Sequence, residues 1–366
     1  MKKEVRLSNF ELMRIISMFF IVFFHMIIST GGNLLNHTTG ILHIVLEFIS
    51  MIIIVHVNSF VLLSGYFQYN KKFSSKKFFH LVFMVWIYEI VLALIFGLTQ
   101  LHEFSLVNII KIISPLEFNN LWYFKVYMAL YLISPYINIL IKNLDQKEHR
   151  KLLILLFLMF SIVPTITNQN TFSNTGFTLI QFIFLYIFGS YLRKYPISLN
   201  THFLNYSNKK KFIIFASIFV FLGSFNFLIL QFCNNILTIT TNEFIVYVAD
   251  AILRNLYYYQ NPILIVQSIS YFLMFETLNI KIRVINKISS GIFAVYVITE
   301  NPNMVKELYK FLKVDTGEMV YDKIILVKIL VYSAILVLLC VIIELIRKNI
   351  SKLIKNILIR LKITNI

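Results

Sequence analysis

Apolar runs of membrane-spanning length recur from one end of this chain to the other. They occupy residues 12–30, 41–67, 77–98, 121–141, 151–165, 177–192, 212–232, 262–278, 288–302 and 324–346. A hydrocarbon core of about 30 Å is crossed by roughly 20 helical residues, so runs of this kind read as transmembrane helices. The runs at 151–165 and 288–302 are short for a span. Composition points the same way. Of 366 residues 58% are apolar and 14% charged, with a mean hydropathy of +0.76. Thirty-four basic and 17 acidic side chains are too few to clothe a soluble domain of this size. The expected fold is an all-α integral membrane protein, a bundle of about ten transmembrane helices, with residues 1–366 forming a single polytopic domain.

The net charge of +17 does not signal nucleic acid, because the cations sit in short loops between apolar runs. Counted loop by loop, 25 Lys and Arg fall on one side and six on the other, with Arg14, Lys125 and Lys328 inside spans. Cytoplasmic loops carry such an excess, so both termini are expected in the cytoplasm of a plasma-membrane protein. Segment 242–259 could add an eleventh span, but it carries Asp250 and Arg254. A surface or re-entrant helix suits it better, since intramembrane charge is costly. Residues 1–6 and the run after them resemble a signal sequence, yet the run has full span length and no small-residue cleavage site follows. An uncleaved first span is expected. Cys233 and Cys340 show no disulfide or metal-ligand spacing, and no metal site or permanently bound cofactor is expected.

Ionisable groups within spans are functional candidates by default. The first span offers Arg14 and His25, which lie eleven positions apart and so share one helix face, about 16 Å apart along the axis. Glu11, three residues before Arg14, can pair with it. The competing reading makes Arg14 a snorkelling cation and His25 an interhelical hydrogen bond. Glu47 matches the depth of His25 across the loop 31–40, which makes it the expected acid partner; an ion pair with His43, one turn earlier, competes with that reading. Glu300 falls in the outer half of its span. His56, mid-span, could serve as proton acceptor but is expected to make an interhelical hydrogen bond. Lys71, Lys72, Lys76 and Lys77 form the densest inner-loop cluster, suited to phosphate binding, or only to orientation and anionic lipid.

Residues 9–25, with a basic residue, ten intervening positions and His25, resemble the opening of the membrane acyltransferase 3 family. Residues 57–66 resemble the end of that family's second span, residues 121–135 its fourth, and residues 290–302 a late span. The matches follow in order and cover most of the chain. Two positions depart from the pattern: Thr299 stands where many relatives carry histidine, and Lys77 and His80 stand where several carry paired arginines.

The resemblance implies transfer of an acyl group, usually acetyl from acetyl-CoA, to a hydroxyl of a cell-surface polysaccharide or other exported glycan, lipid-linked or free. It makes His25 the catalytic histidine and Arg14 its basic partner, with acyl-CoA as donor substrate; the four lysines, by their charge, are candidates to bind the CoA phosphates. A sugar hydroxyl needs a positioned base near neutral pKa, which histidine supplies; His25 could instead carry the acyl group itself. A transporter or flippase for a lipid-linked glycan is the rival reading, with a polysaccharide polymerase third. The charge asymmetry yields the first test. A reporter fused after Ile366 should report cytoplasm and one in residues 165–176 the exterior, whereas an external carboxyl terminus would refute the topology.

Overall fold

A computed structural model describes residues 7–28, 34–98, 121–167, 174–196, 205–313 and 324–360. Lys2, Lys3, Arg6, Lys111, Lys323 and Lys362 of the charge count, the leader 1–6 and part of the loop 31–40 lie outside these residues. The structure is 85% helical, with no strand among the described residues. Its helices are α1 (Ser8–Ile27), α2 (Gly40–Ile53), α3 (His56–Gln68), α4 (Ser75–Leu98), α5 (Trp122–Asn143), α6 (Gln146–Phe157), α7 (Leu179–Lys194), α8 (Asn208–Ile239), α9 (Glu243–Leu256), α10 (Pro262–Glu276), α11 (Arg283–Ser289), α12 (Ile292–Thr299), α13 (Pro302–Phe311) and α14 (Ile325–Arg360).

Among the described residues seven elements are long and apolar enough to cross a membrane, so the expected count of about ten is not reached there by length. The difference falls on three of the expected spans. Helices α7 and α10 have 16 and 15 residues, about 22–24 Å, which is shorter than the roughly 30 Å hydrocarbon core. The run at 288–302 is divided into α11, α12 and the start of α13. Pro302 explains its second break: proline has no N–H to give and keeps the residue before it out of the helical region, so the chain leaves the helix at Glu300–Asn301. The short run at 151–165, by contrast, belongs to a 22-residue element, Gln146–Thr167. A capping box at Asp145 and Glu148 starts it, and a π-turn at Leu158–Ile162 precedes Pro164.

Helices α2 and α3 form one 29-residue element, Gly40–Gln68, bent at Ile54–Val55. The β-branched run Ile52–Val55 is stiff in a helix. Ser50 and Ser59 flank the bend, each donating its hydroxyl to the carbonyl four residues back, at 2.8 and 2.7 Å, a bond that favours bending. In α5, Pro135 deprives the Tyr131 carbonyl of its helical donor, and the Ser134 hydroxyl replaces it at 2.9 Å.

Helix α1 is central, flanked by α2, α3, α10, α11, α12 and α14. The Asn9 amide donates to the Phe275 carbonyl at 3.0 Å and joins its start to α10. The most extensive helix contact is between α3 and α7, where a Cβ added at Gly65 would meet the Tyr186 carbonyl and one at Gly189 the Leu62 carbonyl. Close approach through small residues is how helices associate where burial from water gives no drive. On the opposite side, buried Glu344 of α14 accepts from Tyr88 of α4 at 2.7 Å and from Arg347 at 2.6 and 2.8 Å. Segment 242–259 contains the 14-residue α9, capped by Asn242, with Asp250 and Arg254 paired at 2.7 Å on its exposed face.

Candidate functional site

One cavity of about 1490 Å³ runs alongside α1, touching Glu11 and Arg14 near its start and His25 and Ile28 at its end. Its volume exceeds the roughly 300–1,000 Å³ of an ordinary small-molecule pocket. The two ends differ in chemistry. Arg14, Lys71, Lys77 and Arg193 line the first, while histidines, tyrosines and Glu300 line the second.

At the basic end Arg14 donates to Glu11 at 2.6 Å, and the other Glu11 oxygen accepts from the Ser289 hydroxyl. The expected Glu11–Arg14 pair is therefore present and anchored on α11. The Arg14 guanidinium also lies over the Phe67 ring, 5.4 Å from its centroid. Arg193, at the end of α7, lies over neighbouring Tyr66 at 5.0 Å and donates to its hydroxyl at 3.2 Å. That hydroxyl donates in turn to Glu276 at 3.3 Å. Two planar cations thus rest on adjacent aromatic faces. Guanidinium suits phosphate recognition because its fork matches the geometry of phosphate oxygens. Of the four lysines expected to bind donor, Lys71 and Lys77 line the cavity, and Lys72 and Lys76 do not.

At the other end His25, in the last turn of α1, holds Glu300 through Nδ1. Glu300 stands at the carboxyl end of α12, where Pro302 has ended the helix. The next residue, Asn301, donates to buried Glu89 of α4 at 3.0 Å. With Nδ1 directed at a carboxylate, Nε2 is the nitrogen left to exchange protons with a reactant.

The expected pairing of Glu47 with His25 is corrected. Glu47 bonds His43 at 3.3 Å and accepts from Gln231 of α8 at 2.7 Å. Depth matched, but α2 lies against both α1 and α8, and Glu47 is directed at α8. Equal depth fixes a position along the bilayer normal and leaves rotation about the helix axis open. The expected interhelical hydrogen bond of His56 is also absent: neither ring nitrogen has a partner among the described residues. Ser64 donates to the Phe60 carbonyl at 2.9 Å, and Gly65 packs against the Tyr186 carbonyl.

Sequence reasoning missed Arg193, Tyr66 and Glu276. Arg193 is one of many inner-loop cations by sequence, and nothing in its neighbours separates a topological cation from one that faces a cavity.

A family model described as an acyltransferase domain matches residues 7–345. No curated protein and no solved structure matches the chain.

Two outcomes follow from this geometry. Glu300→Gln should lower acyl transfer on the order of 10²-fold or more, by removing the charge held against His25, and Glu47→Gln should stay within a few-fold of the unaltered protein. Comparable losses in both, measured per mole of membrane-inserted protein, would contradict the assignment of the partner. Neutralising Lys71 and Lys77 should raise the KM for the acyl donor more than neutralising Lys72 and Lys76, with kcat less affected. Equal effects of the two pairs would remove the distinction drawn from the cavity wall.

Proposed function

The chain belongs to the membrane acyltransferase 3 family, and from that premise we propose that it moves an acyl group, acetyl in the simplest case, from cytoplasmic acyl-CoA to a hydroxyl of an exported glycan. The observation that carries the reading is the single cavity that joins a cluster of cations to the His25–Glu300 pair. Four cations at one end match a donor that carries several phosphate charges. A carboxylate-held imidazole at the other end matches activation of a weakly nucleophilic hydroxyl. The basic end is taken as cytoplasmic on the asymmetry of loop charge, which puts both termini inside and the histidine toward the exterior of a plasma-membrane protein.

In this scheme the phosphates of the donor rest among Arg14, Arg193, Lys71 and Lys77, and the pantetheine arm extends along α1 toward His25. Nε2 of His25 takes the proton of the acceptor hydroxyl as its oxygen attacks the thioester carbonyl. Glu300 stabilises the imidazolium that forms, and the proton then passes to the departing CoA sulfur. The products are an O-acyl ester and free CoA. A covalent relay through His25 would use the same nitrogen, so both routes fail together when the imidazole is removed.

Deletion of the protein should remove base-labile acyl esters from the cell's glycans without stopping glycan export. Reintroduced His25→Ala should be inserted at near-normal abundance yet fail to restore the esters, since a general base contributes about 10²–10⁴-fold in rate. A packing hydrogen bond lost at that site costs on the order of 1 kcal/mol of helix association, which would leave activity in place. Ester levels restored by His25→Ala would end the catalytic assignment, and halted export on deletion would favour the flippase reading.

A further inference from the structure

Near the His25–Glu300 pair the cavity wall holds N–H and O–H groups with no acceptor among the described residues. His56 is fully buried, lines the cavity, and has no hydrogen-bond partner at either ring nitrogen among the described residues. Tyr296, 6% exposed and also on the cavity wall, has its hydroxyl oxygen beside the backbone N–H groups of Tyr123 and Phe124, and its O–H meets no acceptor among the described residues. Buried donors are normally satisfied, and one left open in a cavity wall is a place where a bound molecule can complete the bonding.

Both side chains are held by ring packing, which leaves their N–H or O–H free to donate. His56 lies between Phe24, at 5.2 Å between ring centroids, and Tyr259, at 6.0 Å. Phe24 precedes His25 and also touches its ring, at 6.3 Å. Tyr296 packs against Tyr123 at 5.8 Å and Phe293 at 6.1 Å. It stands one helical turn before Glu300, whose backbone N–H donates to the Tyr296 carbonyl at 3.0 Å. A base, its carboxylate and two open donors therefore occupy one end of one cavity. The bend at Ile54–Val55 brings His56 to this wall at the start of α3, and the break before Pro302 sets Glu300 at the end of α12.

We propose that His56 and Tyr296 are the oxyanion donors of the transfer reaction, an inference that rests on the acyl-transfer reading above. A neutral imidazole carries one N–H and a phenol one O–H. When the acceptor oxygen bonds to the thioester carbon, the carbonyl π electrons move onto its oxygen, and the two donors hold that negative charge. When the tetrahedral centre collapses, the carbonyl re-forms, the carbon–sulfur bond breaks, and the sulfur takes the proton held by His25. Donors held in place by packing act without reorganising at the moment of reaction, the condition under which such groups contribute most.

The test uses the full chain in membranes of a deletion host, with radiolabelled acetyl-CoA as probe and base-labile label in the glycan fraction as readout. Tyr296→Phe removes one oxygen and His56→Leu removes both ring nitrogens, while His56→Gln keeps an N–H donor. Tyr296→Phe and His56→Leu should each lower kcat by about 10²–10³-fold, the scale of losing one oxyanion donor, with the KM for acetyl-CoA within about twofold. His56→Gln should retain more activity than His56→Leu. Tyr296→Phe and His56→Leu both near the unaltered kcat would overturn this inference and leave the acyl-transfer reading standing. So would a raised KM at unchanged kcat, which marks contacts made equally in the ground state. If His56→Leu fails to insert, Tyr296→Phe and His56→Gln decide the matter by the same criteria. An unaltered protein that transfers no label would refute the acyl-transfer reading, and this inference with it.

Discussion

A polar group inside a bilayer has no water to turn to, and the arrangement of this bundle depends on that constraint. Burial of apolar surface gives membrane helices little reason to prefer one neighbour over another. What distinguishes neighbours here is a small set of polar contacts between distant parts of the chain. Glu11 meets Ser289, His25 meets Glu300, Glu89 meets Asn301, and Glu344 meets Tyr88. Three of these four contacts tie α1 or α4 to the segment 289–301, the part of the chain least like a regular span. The irregular segment is therefore held from two sides.

The chemistry gathers where helices end. His25 occupies the last turn of α1, Glu300 follows α12, and His56 begins α3 after the bend. Backbone that leaves the helix at membrane depth is tolerated where it is enclosed by protein or borders a hydrated cavity. The same breaks that shorten the apolar segments also turn side chains toward the space alongside α1. Interrupted helices and a functional cavity are, in this fold, two aspects of one solution.

Much of this was legible from residue order alone. The long apolar runs became helices, and the first-span pair Arg14 and His25 lies along one cavity. Helical periodicity is local, and it places both groups on one face without knowledge of any other helix. Features that needed a rotation angle were not legible. Glu47, matched to His25 by its expected depth, belongs instead to a contact with His43 and Gln231. Hydropathy likewise gives about ten spans where seven described elements have spanning length, because an average over a window does not register that α12 has only eight residues before the break at Pro302. Arg193 and the open nitrogens of His56 emerge only once neighbours are in place, since exposure to a cavity is a property of the assembled wall.

The close approach of α3 and α7 at Gly65 and Gly189 has a bearing on how genetic data for such a protein are read. Tyr66 follows the first glycine directly, and Arg193 lies one turn beyond the second, so the approach of α3 to α7 is also what brings this guanidinium onto its aromatic platform. A side chain inserted at either glycine would push the two backbones apart and carry the cation with them. In a screen that scores only lost activity, Gly65 and Gly189 would surface beside the charged residues of the cavity and pass for substrate contacts. Their distinguishing mark would be breadth: at a glycine pressed against a carbonyl even alanine fails, whereas a true anion contact tolerates exchange of one cation for another better than its removal.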